Sequence, residues 1–170
     1  MKTGLIHLYC GDGKGKTTAA AGLALRALGH GKKVVFAQFL KDGTSGEIEG
    51  LRNAGALILA GSPGTKFVFQ MNDEEKQAAA AENSRILEKA MEADCDLLVL
   101  DELCAALAYG LADRQTAMKA VLQRPEGREV VVTGRDPEKW LTDAADYITE
   151  MRSVRHPYDK GTSAREGIEY

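Results

Sequence analysis

The chain alternates short apolar runs with longer segments in which apolar residues recur at helical spacing. Leu5 to Cys10 is an apolar run that ends on a glycine-rich turn, the pattern of a buried parallel strand. Residues 16–28, KTTAAAGLALRAL, are rich in helix formers, and Gly29 and Gly31 supply the stop. Val34 to Phe39 predicts a second strand. A short helix then reaches about Asn53, and Ala56 to Ala60 predicts a third strand. Residues 61–72, GSPGTKFVFQMN, hold turn signals and two phenylalanines without a period. Asn72 with Glu75 resembles a capping box and opens a helix to about Ala93. Leu97 to Leu100 is the clearest strand, closed by Asp101 and Glu102. A helix over 113–123 leaves through Pro125 and Gly127, and Glu129 to Thr133 predicts a fifth strand. Asp136 as cap and Pro137 as first residue predict a helix through Trp140. Asp146 to Glu150 predicts a last strand, and the polar tail from Arg152 to Tyr170 has no period. Strands alternating with helices predict an α/β fold in three layers, a mostly parallel central sheet covered on both faces.

Two segments on this frame carry chemistry. The first is Gly11-Asp12-Gly13-Lys14-Gly15-Lys16-Thr17-Thr18, set between a strand and a helix as a phosphate-binding P-loop requires. Cys10 stands where the usual first glycine would be, so the loop is one residue shorter than G-x-x-x-x-G-K-[ST]. The physics survives the deletion. Glycines let backbone N–H groups turn toward phosphate oxygens, and the helix N-terminus adds partial positive charge. Lys16 brings a full charge, Lys14 a second cation, and the Thr17 hydroxyl can reach a magnesium ion. The second segment is Leu97-Leu98-Val99-Leu100-Asp101-Glu102, which resembles a Walker B element: a buried strand delivers carboxylates to the edge where ligands bind. One carboxylate would hold Mg²⁺, directly or through water, and the other would orient it or a water. The residues alone leave open which does which. Thr133-Gly134-Arg135 reads as a ligand-facing strand end, with Arg135 a candidate for phosphate or nucleotide. His7, alternating with apolar residues, is expected in the core, His30 in solvent, and His156 is ambiguous.

Composition narrows the classes. At 170 residues the chain is expected to form a single domain spanning 1–170. Hydrophobic residues make up 44% and charged residues 28%, which excludes a disordered tail. The 22 Lys+Arg and 25 Asp+Glu give a formal charge of -3, which argues against broad electrostatic binding of nucleic acid. No apolar run approaches the roughly 20 residues that span a bilayer, and no signal peptide is read. Cys10, Cys95 and Cys104 form no CxxC pair and no zinc spacing, which suits a reducing cytoplasm.

These residues resemble one family, the P-loop type of ATP:corrinoid adenosyltransferase, acting on cob(I)alamin and cob(I)yrinic acid a,c-diamide. The similar segments are GDGKGKTTAA at 11–20, QFLKDGTSGE at 38–47, KFVFQ at 66–70 and LLVLDEL at 97–103. VVVTGR at 130–135, ADYITEM at 145–151 and RHPYDKGTSAREGIEY at 155–170 complete the set. The resemblance implies a P-loop NTPase-like fold and transfer of the 5′-deoxyadenosyl group of ATP to Co(I), with release of triphosphate, in adenosylcobalamin synthesis or salvage. It further implies Mg²⁺, an electron-donating reductase, a homodimer and a cytoplasmic location. Residue by residue, it implies nucleotide contacts from Gly11 to Thr18 and from Arg135. Lys16 would stabilise the leaving triphosphate. Thr17 and Glu102, with Asp101 beside them, would hold Mg²⁺, the resemblance favouring the glutamate. Phe67 and Phe69 match aromatic positions that family members are thought to push under the corrin, leaving cobalt four-coordinate. Two departures stand out. The first strand begins about five residues in, where family members often carry an extension that helps cover the site. Phe67-Val68-Phe69 stands where many read F-T-W. A P-loop ATPase or small-molecule kinase, or a nucleotide-gated binding module, is the competing expectation.

Overall fold

The computed structural model describes residues 4–61 and 68–169. The apolar runs form the strands β1 (Ile6–Cys10), β2 (Val34–Gln38), β3 (Leu57–Ala60), β4 (Leu97–Asp101), β5 (Glu129–Thr133) and β6 (Tyr147–Glu150). Between them stand α1 (Lys16–Gly29), α2 (Gly46–Asn53), α3 (Asp73–Glu92), α4 (Leu103–Ala108), α5 (Arg114–Leu122) and α6 (Lys139–Ala144). The strands make one six-stranded sheet in the order β3-β2-β4-β5-β1-β6, with every pairing parallel.

Strand alternation sorts the core into two faces. Leu98 and Leu100 of β4 join Leu8, Val130 and Val132 under α3, α4, α5 and α6. Leu97 and Val99 join Phe36 and Val131 under α1 and α2. β2 and β4 are buried along their whole length, as interior strands of a doubly covered parallel sheet must be. The connection out of β1 crosses the sheet one way on the α1 face, and those out of β4 and β5 run the other way on the opposite face. In open α/β sheets the ligand crevice lies at such a parting, beyond the carboxyl ends of the strands. The ends of β1, β4 and β5 meet there.

The capping box forms as expected: the Asn72 side chain accepts from the Glu75 N–H at 2.8 Å, and the Glu75 carboxylate accepts from the Asn72 N–H at 2.9 Å. Two expectations need correction, and one element was not expected. The helix expected from Asp136 and Pro137 starts instead at Lys139, with Glu138 at the cap. Asp136 takes a left-handed φ of 48°, unlike the extended backbone of an N-cap. α4 is an element that the apolar pattern does not predict. His7 is not a core residue: its Nε2 lies 2.6 Å from Glu129 Oε1, and its ring stacks on Tyr147 of the edge strand. His30 is exposed at the end of α1, and His156 Nδ1 accepts from the Tyr158 N–H, capping a 3₁₀ turn over Pro157–Lys160.

No described helix is long and apolar enough to cross a membrane.

Candidate active site

The phosphate loop follows β1, and α1 begins on Lys16 with Gly15 at its cap, φ 113°. The loop is braced from outside. Gly13 N–H donates to the Met151 carbonyl at 2.7 Å, just beyond β6, and Met151 N–H returns to the Cys10 carbonyl at 2.8 Å. The fit is so close that a Cβ on Gly13 would lie 2.7 Å from the Met151 carbonyl carbon, and one on Gly11 would strike its oxygen. Asp12 turns outward, where its Oδ1 accepts from the Ser153 N–H at 2.9 Å. That bond holds its carboxyl below the usual aspartate range.

The two loop lysines differ in surroundings. Lys16 is only 8% exposed, and its ammonium donates to the Gly13 carbonyl at 2.7 Å, folded back over the loop. Burial lowers its pKa, opposed by the negative charge of Glu102. Lys14 instead reaches the C-terminal tail, donating to the Ile168 carbonyl at 3.1 Å with Glu169 at 3.6 Å. Thr18 is exposed in the first turn of α1.

Asp101, at the end of β4, has no exposed surface. Its Oδ1 accepts from the Thr17 hydroxyl at 2.8 Å and the Thr133 hydroxyl at 2.7 Å. Its Oδ2 accepts from Gln38 Nε2 at 3.2 Å and Lys41 Nζ at 3.1 Å. A carboxylate has about four lone-pair sites, and these four donors fill them. Asp101 is therefore a hub that orients its neighbours. Burial works to lower the Lys41 pKa, yet Asp101 and Glu102 carry it upward on balance.

Glu102 is the single residue between β4 and α4, in a left-handed conformation with φ 62°. No described residue donates a hydrogen bond to its carboxylate. Burial raises its pKa, reinforced by Asp101 and opposed by Lys41, Lys16 and Arg135. Such a half-buried carboxyl, its oxygens taken by no described donor, suits a metal ion. Thr17 fits beside it: its only proton goes to Asp101, which leaves oxygen lone pairs for a cation. The donor set is all oxygen, as Mg²⁺ prefers. No cluster of three His, Cys, Asp or Glu exists among the described residues, and Mg²⁺ needs none where phosphates and water complete its shell.

Arg135 is exposed, with Nη2 3.4 Å from the Asp12 carbonyl. It borders a cleft of about 590 Å³ with Gly11, Asp12, Glu150 and Arg152. Phe69 stands 84% exposed in a 3₁₀ turn over Val68–Gln70, and Phe67 lies outside the described residues. The backbone at Phe69 is turned rather than extended.

Thus the structure gathers Lys16, Thr17, Asp101 and Glu102 at one sheet edge and sets Arg135 at its rim. Sequence reasoning did not assign Gln38 and Lys41 to the site. Their signal is a polar residue closing the buried run Val34-Val35-Phe36-Ala37, with a lysine three positions on.

Cys10, Cys95 and Cys104 are free and buried. Burial pushes all three thiols up, Cys104 to about 12 with the charge of Glu102 adding to the effect. Few thiolates then exist near neutrality. A thiol-specific reagent at pH 7.5 is expected to leave the native protein unmodified and to label it fully in denaturant. One thiol labelled at the free-cysteine rate would overturn this.

Comparison with known proteins extends the picture. The family described as ATP:corrinoid adenosyltransferase BtuR/CobO/CobP matches residues 2–170. The corrinoid adenosyltransferase of Escherichia coli (strain K12) is 38% identical over 98% of this chain and 86% of its own length. Corrinoid adenosyltransferase CobA of Salmonella typhimurium is 39% identical over the same shares. Among solved structures, the flagellar accessory protein FlaH from Methanocaldococcus jannaschii superposes with a TM-score of 0.52 at 15% identity, over 86% of this chain and 70% of that one. That last likeness is one of fold, the P-loop NTPase-like kind.

Proposed function

The chain belongs to the ATP:corrinoid adenosyltransferase family, and from that premise we propose how its sheet edge performs the transfer. The protein is a transferase that moves the 5′-deoxyadenosyl group of ATP to Co(I) of a corrinoid, releasing triphosphate. The observation that carries this reading is the family match across residues 2–170.

The chemistry asks for alignment and charge stabilisation. The electron pair of Co(I) forms the bond to the ribose 5′ carbon, and the carbon–oxygen bond breaks with its pair going to the triphosphate. The nucleophile carries no proton, so the step needs no general base. The chain must hold the two substrates in line and stabilise the departing anion. Lys16 and the amides of the loop from Gly11 to Thr18 suit the second task, except that of Gly13, which the Met151 carbonyl holds, and Arg135 would meet nucleotide. Mg²⁺, when bound, neutralises triphosphate oxygens. Thr17 and Glu102 would hold it. Asp101, saturated by four donors, orients Thr17 rather than taking the direct contact. Phe67 and Phe69 supply the aromatic surface under the corrin. The whole stretch 1–170 acts as one domain, in the cytoplasm, with a reductase as electron donor.

We read the working form as a homodimer. Val154, Tyr158 and Ile168 stand 93%, 75% and 56% exposed along the tail, apolar side chains that a second copy would cover. Sedimentation is expected to give twice 18.3 kDa, and a single 18.3 kDa species at micromolar concentration would refute the dimer.

The function is tested with ATP, Mg²⁺ and chemically reduced cobalamin. A cobalt–carbon spectrum with stoichiometric triphosphate is expected. ADP with phosphate would identify a kinase or ATPase, and no turnover a binding module.

A further inference from the structure

Thr133 closes β5 with no exposed surface, and its hydroxyl has two partners. It donates to Asp101 Oδ1 at 2.7 Å and accepts from the Glu102 backbone N–H at 3.0 Å. We infer that Thr133 is a positioning residue that aims Glu102 at the metal–triphosphate site; the inference rests on the reading that Glu102 faces Mg²⁺.

Strand ends at Asp101 and helix begins at Leu103, so Glu102 alone turns the chain. It does so at φ 62° and ψ 19°, a left-handed conformation that a non-glycine residue keeps only where its surroundings over-determine it. The Glu102 side chain makes no capping bond to α4, so helix capping does not fix its direction. The Glu102 N–H is held by Thr133, from a neighbouring strand 31 positions away in the chain.

The other bond of the same hydroxyl ties this joint to the hub. Asp101 Oδ1 is shared by Thr133 and Thr17. Both oxygens assigned to the metal, the Thr17 hydroxyl and the Glu102 carboxylate, are thereby referenced to one buried anion. Thr17 keeps its own bond to Asp101 when Thr133 is altered. Glu102 does not: without the hydroxyl its N–H loses its acceptor. The consequence is selective. Loss of the Thr133 hydroxyl should weaken the contribution of the metal while sparing the contacts of the phosphate loop.

Calorimetric titration of ATP, with Mg²⁺ and with a chelator, tests this on wild type, Thr133→Val, Thr133→Ser and Glu102→Gln. Valine keeps the shape and removes the hydroxyl. It is expected to bind metal-free ATP as wild type does, while the affinity gained from Mg²⁺ falls by about tenfold, the scale of one lost hydrogen bond at a charged site. Serine should restore the gain. A valine variant with the full Mg²⁺ gain, or a serine variant that loses as much as valine, overturns the inference. Glu102→Gln separates the two levels. If it also keeps the full gain, the reading of Glu102 fails and the role of Thr133 falls with it. If it loses the gain while valine keeps it, only the inference about Thr133 fails. Should circular dichroism show the valine variant unfolded, Thr133→Ala replaces it. Failure of both to fold would assign the hydroxyl to the fold and overturn the inference.

Discussion

Replacing Lys16 with alanine is expected to lower the adenosyl-transfer rate by at least ~100-fold, the scale of removing one donor from a preorganised anion site. Lys16 is only 8% exposed and is the first residue of α1, where the helix N-terminus adds to its field. Negative charge on the triphosphate grows as the carbon–oxygen bond breaks, so a fixed cation there favours the transition state over the bound substrate. In the structure the Lys16 ammonium donates to the Gly13 carbonyl at 2.7 Å, and that bond must be exchanged for one to phosphate when ATP arrives. The loss should fall chiefly on kcat. Single-turnover rates at saturating ATP and reduced cobalamin measure it. A variant that keeps half the wild-type rate would remove Lys16 from the mechanism.

Changing Phe67 and Phe69 together to alanine is expected to abolish adenosylation when Co(II) must be reduced on the enzyme. The same variant should keep appreciable activity with Co(I) prepared beforehand by a strong chemical reductant. An axial ligand raises the energy of the cobalt acceptor orbital, and aromatic side chains under the corrin would displace it. Phe69 is 84% exposed, a placement suited to a surface that meets a large incoming substrate. Spectroscopic detection of four-coordinate Co(II) on wild type, and its disappearance in the double variant, provides the direct readout. Equal losses in both assays would make the pair a plain hydrophobic anchor for its loop.

The sheet was legible because its interior strands are doubly buried and so read as unbroken apolar runs: Leu97-Leu98-Val99-Leu100 admits few other readings. The phosphate loop was legible because its chemistry is written in consecutive residues. Two features were hidden for different reasons. α4 is six residues long and apolar at every position, too short to show a helical period, and it starts from a left-handed glutamate rather than a usual cap. The four donors to Asp101 come from positions 17, 38, 41 and 133, which only the parallel strand order brings together. From sequence Gln38 lies inside a predicted strand, and Thr133 reads as a ligand-facing strand end with no partner named. Their meaning lies in the register that sets Gln38 beside Asp101, a pairing that local propensity does not encode.

The brace behind the phosphate loop bears on how such a loop could be inherited or transplanted. Gly11 and Gly13 lie against the backbone of Met151, and the Gly13 N–H is spent on its carbonyl. The shortened loop and the exit of the last strand are thus one part in two pieces, far apart in the gene and shaped against each other. A chimera that carried residues 11–18 alone into another P-loop protein would bring half a joint.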